Sequence, residues 1–180
     1  MASGSGAEQR VVRRKELTIH TDGACLGNPG PGGYGVILEY QGHRRELSGG
    51  FRLTTNNRME LTAAIEGLAA LKEPCVVTLY SDSAYVVRGM SEGWARRWQL
   101  NGWRREGRKL ASNRDLWARL LELCQVHDVT FRWVRGHAGN PDNERCDRLA
   151  VAAAQQAGLP VDAGYEASAT GQGAQADRSV

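Results

Sequence analysis

The stretch Cys75-Val76-Val77-Thr78-Leu79-Tyr80-Ser81-Asp82-Ser83 decides the architecture. Its near-continuous apolar and β-branched run is that of a strand buried on both faces, as in the middle of an α/β sheet. Ser81-Asp82-Ser83 then supplies a cap for a following helix. Upstream, Met59, Leu61, Ala63, Ala64, Ile65, Leu68, Ala69 and Leu71 recur at helical spacing until Pro74 ends the pattern. An amphipathic helix feeding a buried strand predicts a βαβ element.

Further outward, Leu17, Ile19 and Thr21 alternate with Thr18 and His20 in a short strand that stops at the Asp22-Gly23 turn signal. The run Gly27-Asn28-Pro29-Gly30-Pro31-Gly32-Gly33 predicts a loop, and residues 34–40 and 44–51 flank a Gln41-Gly42-His43 turn as a hairpin. Towards the C-terminus, Leu116, Trp117, Leu120, Leu121 and Cys124 form a helical stripe, residues 129–134 a strand, and residues 144–155 a final Ala-rich helix. The order β-β-β-α-β-α-α-α-β-α predicts an α/β fold with a five-stranded mixed sheet and helices on both faces. Trp117 and Trp133 read as core residues.

At 180 residues the chain suits one domain. Residues 1–15 are small, polar and basic, and 158–180 are rich in Gly, Ala, Ser and Gln, so both ends are expected as flexible tails around a unit at 16–157. Cys25, Cys75, Cys124 and Cys146 show neither C-x-x-C pairing nor zinc spacing, and no secretory leader precedes them. A reducing cytoplasm is expected. No apolar run approaches the ~20 residues of a membrane span. The formal charge is only +3, but residues 88–109 carry Arg88, Arg96, Arg97, Arg104, Arg105, Arg108 and Lys109 against Glu92 and Glu106. Trp94, Trp98 and Trp103 are interleaved with them, a mixture that suits phosphate neutralisation beside aromatic packing on nucleic acid. A helix interface is the plainer reading of those tryptophans.

Four carboxylates carry the chemistry. Taken singly, Asp22 begins a turn, Asp82 caps a helix, Glu60 favours a helix dipole and Asp147 faces solvent. Taken together, Asp22 and Asp82 lie at predicted strand ends while Glu60 and Asp147 lie near helix starts, and sites in open α/β sheets form beside strand ends. Two unit charges ~4 Å apart repel by roughly 4 kcal/mol at an effective dielectric of 20, so such a cluster requires cations. Hard oxygen ligands favour Mg²⁺, with Mn²⁺ able to substitute, over zinc. Two such ions ~3.5–4 Å apart suit in-line attack on a phosphodiester.

His137, in Arg135-Gly136-His137-Ala138-Gly139-Asn140-Pro141, sits in a glycine-flanked loop ahead of the helix bearing Asp147 and is a candidate proton carrier. Asn28, Thr55, Asn56, Asn57, Asn113 and Asn143 offer uncharged groups for sugar hydroxyls and phosphate oxygens, or turn and capping chemistry.

Four motifs in order, T-D-G-A-C-L-G-N-P-G-P-G-G-Y-G, T-T-N-N-R-M-E-L-T-A-A-I, Y-S-D-S-A-Y-V and V-R-G-H-A-G-N-P-D-N-E-R-C-D-R-L-A, make the chain resemble the bacterial type 1 ribonuclease H family over 17–154. The resemblance implies sheet order 3-2-1-4-5 and endonucleolytic hydrolysis of the RNA strand of RNA·DNA hybrids, leaving 5′-phosphate and 3′-hydroxyl ends. It implies Asp22, Glu60, Asp82 and Asp147 as ligands of Mg²⁺, two ions with substrate bound, and His137 as the mobile auxiliary group. Cys25, Asn28, Asn56, Asn57 and Glu60 would read the RNA strand, Thr55 and Asn113 would hold a DNA phosphate, and the basic protrusion at 88–109 would grip the hybrid. A monomer is expected. The chain departs from the family pattern at Ala84, often Gln, near Val86-Val87, where a residue is added, and at Leu53, often Arg, beside Arg52. A DNA nuclease or integrase of similar fold, and a hybrid-binding module without catalysis, are the alternatives.

Overall fold

A computed structural model describes residues 13–105, 109–136 and 138–176, with backbone alone over 171–176. The strands are β1 (Lys15–Cys25), β2 (Gly30–Tyr40), β3 (His43–Thr54), β4 (Cys75–Ser81) and β5 (Asp128–Trp133). The helices are α1 (Asn56–Ala69), α2 (Ala84–Ser91), α3 (Trp94–Leu100), α4 (Arg114–Val126), α5 (Pro141–Ala154) and α6 (Ala163–Ala176). The sheet runs β3-β2-β1-β4-β5, as the resemblance implies. β1 pairs antiparallel with β2 (Ile19 opposite Leu38) and parallel with β4 (Ile19 opposite Leu79), so the hairpin and the βαβ element meet on one central strand.

Helices cover both faces because the sheet presents small residues where each must approach. Gly33 and Gly35 admit α5: a Cβ at Gly35 would stand 2.1 Å from the Cys146 carbonyl oxygen. Gly23 admits the N-terminal part of α1, where a Cβ would stand 2.4 Å from the Glu60 backbone nitrogen. On the α1 side, Ile19, Val36, Leu61, Leu68, Val77, Leu79, Val86, Trp117 and Leu120 are buried in one core. Each such side chain contributes roughly 1.5–3 kcal/mol by leaving water. Trp117 also donates from Nε1 to the Tyr85 hydroxyl at 3.0 Å, which satisfies its one polar group.

Trp133 departs from its expected place in the core. It is 56% exposed, because β5 is the sheet's edge strand and Trp133 ends it. The stretch expected as a flexible tail from 158 departs too. It carries α6 and a buried carboxylate, Asp162, 4% exposed. Asp162 accepts from Thr54 Oγ1 at 2.7 Å, from Arg58 Nε at 2.7 Å and from the Tyr165 backbone N–H at 3.1 Å. The Arg52 backbone N–H donates to the Pro160 carbonyl at 2.9 Å. The segment is held by hydrogen bonds and ion pairs rather than by an apolar stripe.

Candidate active site

The parallel strands β1 and β4 run side by side, so the ends that carry Asp22 and Asp82 arrive at one rim of the sheet. α1 starts beside that rim, and its N-terminal part brings Glu60 against Gly23. One carboxylate oxygen from each of Asp22, Glu60 and Asp82 lies within 4.8 Å of the other two. At that separation each ionised pair repels by about 3 kcal/mol at an effective dielectric of 20. Asp22 and Glu60 are 6% and 5% exposed, so little water relieves them.

The acidities reflect that crowding. Burial first, then the charges of Asp82 and Asp147, pushes the Asp22 carboxyl up to about 7, despite a hydrogen bond from the Gly23 N–H at 2.8 Å. Glu60 is raised well above the ordinary carboxylate range by burial, then by Asp22 and Asp82. Its Oε2 is buried with no hydrogen-bond partner. An orphaned buried oxygen among crowded acids is a position for a cation. The donor set is all oxygen, which fits a hard divalent ion.

α5 closes the third side. Asn140 caps it, its Oδ1 accepting from the Asp142 and Asn143 N–H groups, and Pro141 occupies the first turn. Asn143, 3% exposed, donates from Nδ2 to Asp82 Oδ2 at 3.2 Å, and Asp147 follows one turn later on the same face. Asp147 acts on Asp22 through its charge but stands outside the tight trio. The loop after β5 passes close over Asp82: a Cβ on Gly136 would stand 2.4 Å from Asp82 Oδ2. His137, the next residue, lies outside the described residues. Trp133 Nε1 donates to the Asp82 carbonyl at 3.0 Å. That strut was not legible in the sequence, where the tryptophan looked like filler.

Beside the carboxylates, a cleft of about 1100 Å³ is lined by Asn28, Thr55, Asn56, Asn57 and Asn113, and by Gly164, Tyr165 and Ser168 of α6. The amide and hydroxyl residues picked from sequence therefore share one surface, apart from Asn143, which serves Asp82. Asn28 Oδ1 accepts from the Asn56 N–H at 3.2 Å and ties the glycine-rich loop to the start of α1. Asn113 adopts a left-handed backbone (φ 59°) and donates to the Tyr85 hydroxyl at 3.3 Å. Cys25 donates from Sγ to the carbonyls of Gly30 and Thr54 at 3.5 and 3.6 Å.

In the basic lobe, Arg96, Arg97, Arg104 and Arg105 are exposed, with Arg97 donating to the Glu92 carbonyl at 2.8 Å. Trp98 and Trp103 are half-buried against the core, Trp98 with its ring 6.0 Å from that of Trp117. Trp94 lies 6.4 Å from Trp98 and under the Arg88 guanidinium. The tryptophans thus fasten the lobe to the domain and leave its arginines outward.

Sequence reasoning did not single out Arg58 or Asp162, which join α1 to the C-terminal segment. The available signal was an Asp just ahead of Ala163, a common helix N-cap arrangement.

A five-stranded sheet of this order with an acidic cluster at its rim defines a metal-dependent phosphodiester hydrolase. Comparison with known proteins narrows the class. The RNase H family model matches residues 14–155. The chain is 65% identical to a ribonuclease H of Syntrophus aciditrophicus (strain SB) over 160 residues, covering 89% of this chain and 92% of that protein. It is 64% identical to the enzyme of Desulforamulus reducens over 148 residues, covering 82% and 93%. Among solved structures, LC9-RNase H1, a type 1 RNase H with the type 2 active-site motif, superposes with a TM-score of 0.71 at 36% identity over 88% of this chain and 82% of that one. LC11-RNase H1 in complex with RNA/DNA hybrid gives 0.60 at 26% identity over 76% and 95%. The chain belongs to the ribonuclease H family, and its activity is endonucleolytic hydrolysis of the RNA strand of RNA·DNA hybrids.

Proposed function

We propose that Asp22, Glu60, Asp82 and Asp147 hold Mg²⁺, with Mn²⁺ as a substitute and two ions present on the substrate complex. The observation that carries this reading is the cluster itself: three carboxylates with an oxygen each within 4.8 Å, one of them also carrying an orphaned oxygen. Divalent ions held there would supply an activated water and charge neutralisation at the leaving 3′-oxygen, consistent with 5′-phosphate products. The protein's own part is arrangement. Asn143 fixes the Asp82 carboxylate, Trp133 holds the Asp82 backbone, and burial keeps Asp22 and Glu60 from wandering into water. His137 serves as the auxiliary proton carrier.

Asn28, Asn56, Asn57 and Cys25 read the 2′-hydroxyl side of the RNA strand, while Thr55 and Asn113 hold a phosphate of the DNA strand across the cleft. Arg96, Arg97, Arg104 and Arg105 neutralise phosphates farther along, with Trp94, Trp98 and Trp103 setting the lobe's position. Arg52, which stands beside the residue where the family often has arginine, is paired with Glu166, so the phosphate pocket is built without it. The protein works as a monomer in the cytoplasm. No helix among the described residues is long and apolar enough to cross a membrane.

The test offers labelled RNA·DNA hybrid, double-stranded RNA and double-stranded DNA in parallel, with Mg²⁺, Mn²⁺ or chelator. Only the hybrid is cut, and only with metal. Asp22→Asn lowers the rate by about a thousandfold, the loss of several kcal/mol of charge stabilisation, while hybrid binding persists. Parental cutting by that variant would refute the ligand assignment, and equal cutting of double-stranded DNA would favour a DNA nuclease.

A further inference from the structure

One wall of the cleft containing Thr55 and Asn113 comes from outside the matched motifs. It is formed by α6, through Gly164, Tyr165 and Ser168. The helix is fixed there firmly: its preceding residue, Asp162, is bound by Arg58 and Thr54, and Arg52 makes a two-pronged pair with Glu166 at 3.0 and 2.8 Å. Gly164 stands so close to Asp115 and Arg58 that a Cβ there would lie 2.0 Å from Asp115 Oδ2. The wall is therefore packed against the same first turns of α1 and α4 that present Thr55 and Asn113.

The chemistry of this wall suits a polyanion. Between 158 and 170 the segment has two acidic residues, Asp162 and Glu166, and both are engaged by arginines. A carboxylate directed into the cleft would repel phosphate; the α6 residues that line it are a phenol, a hydroxyl and small side chains, and the carboxylate of Asp115, which also lines it, is paired with Arg58. The Ser168 hydroxyl is turned back onto the Tyr165 carbonyl at 2.7 Å. Among the described residues, Tyr165 is thus the one large group that α6 offers to the cleft. An aromatic ring with a polar tip packs well on a sugar while tolerating a neighbouring phosphate.

The geometry points to Tyr165 of α6 as a further contact for the uncut strand, packing on a deoxyribose next to the phosphate held by Thr55 and Asn113. This rests on the assignment of those two residues to the DNA strand, and the experiment separates the two ideas. Hybrid binding is measured on the full chain in chelator, across a range of salt, for the parent, Thr55→Ala, Tyr165→Phe and Tyr165→Ala. Tyr165→Ala raises the Kd about fivefold with an unchanged salt slope, since an uncharged contact releases no counterions, and Tyr165→Phe stays near the parent. If Thr55→Ala weakens binding and Tyr165→Ala does not, α6 is a structural brace and this inference falls alone. If Tyr165→Ala tightens binding, α6 obstructs the groove instead. If Thr55→Ala is itself without effect, the cleft is not the DNA-strand site and both readings fall.

Discussion

Arg58 and Glu60 stand two residues apart on α1 and are equally buried, at 4% and 5% exposure, yet their surroundings are opposite. Arg58 points into acids that match it: Asp162 at 2.7 Å and Asp115 at 2.7 Å. Glu60 points into acids that oppose it, Asp22 and Asp82, and one of its oxygens has no partner. Two residues of helix turn a side chain by about 200°, so one helical turn faces both clusters. A buried charge with its partners present is a structural joint. A buried charge crowded by its own kind is a place prepared for something the chain does not contain.

The sharpest way to break that contrast is to neutralise each side in the metal-free protein. Arg58→Ala strands the buried Asp162 carboxylate and costs about 3–5 kcal/mol, a fall in Tm on the order of 10 °C. Glu60→Gln removes an unwanted charge, so thermal melting in chelator finds the variant at or above the parent. Two falls of similar size would mean that the acidic cluster is a structural joint as well.

The same contrast appears against pH. The folded Asp22 carboxyl titrates at about 7, against 3.8 ordinarily, so folding favours its protonated form. The stability from this group is fully present below 3.8 and is lost by the time the pH has risen through about 7. In chelator, the parent therefore loses stability relative to Asp22→Asn as the pH rises from about 4 to about 7. Asp115, although burial works against its charge, is held below its ordinary value by Arg58 and acts with the opposite sign, losing its contribution at acid pH. Parallel stability curves for parent and Asp22→Asn would contradict the crowding of the cluster.

A smaller effect sharpens the role of burial within the paired region. Arg52 is mostly exposed where it meets Glu166, whereas Arg58 is buried where it meets Asp162. Exposed pairs contribute little. Glu166→Gln should melt with the parent while Asp162→Asn melts well below it, and equal losses would show that α6 is held by both pairs alike.

The sequence made the acidic side of this comparison visible and hid the other. Asp22, Glu60 and Asp82 sit at ends of strands and a helix that hydrophobic period alone locates, so their convergence followed from topology. Asn143, read from the sequence as a substrate contact, also donates to Asp82, a link that the sequence did not reveal. Trp133 was misplaced because an apolar run does not say whether its strand is central or at the edge. The C-terminal segment was missed because its composition is that of a solvated tail and its anchor is a pair of residues 104 positions apart, Arg58 and Asp162. Period and propensity describe neighbours along the chain; a single long-range ion pair leaves no pattern there.

Calorimetric titration of Mn²⁺ into the 180-residue chain and into Asp22→Asn, each in two buffers of different ionisation enthalpy, tests the central claim most directly. The account predicts saturable binding by the parent with heats that differ between buffers, because the ion displaces protons held by Asp22 and Glu60, and much weaker binding by the variant. Identical titrations of the two proteins, or no binding by the parent, would contradict it.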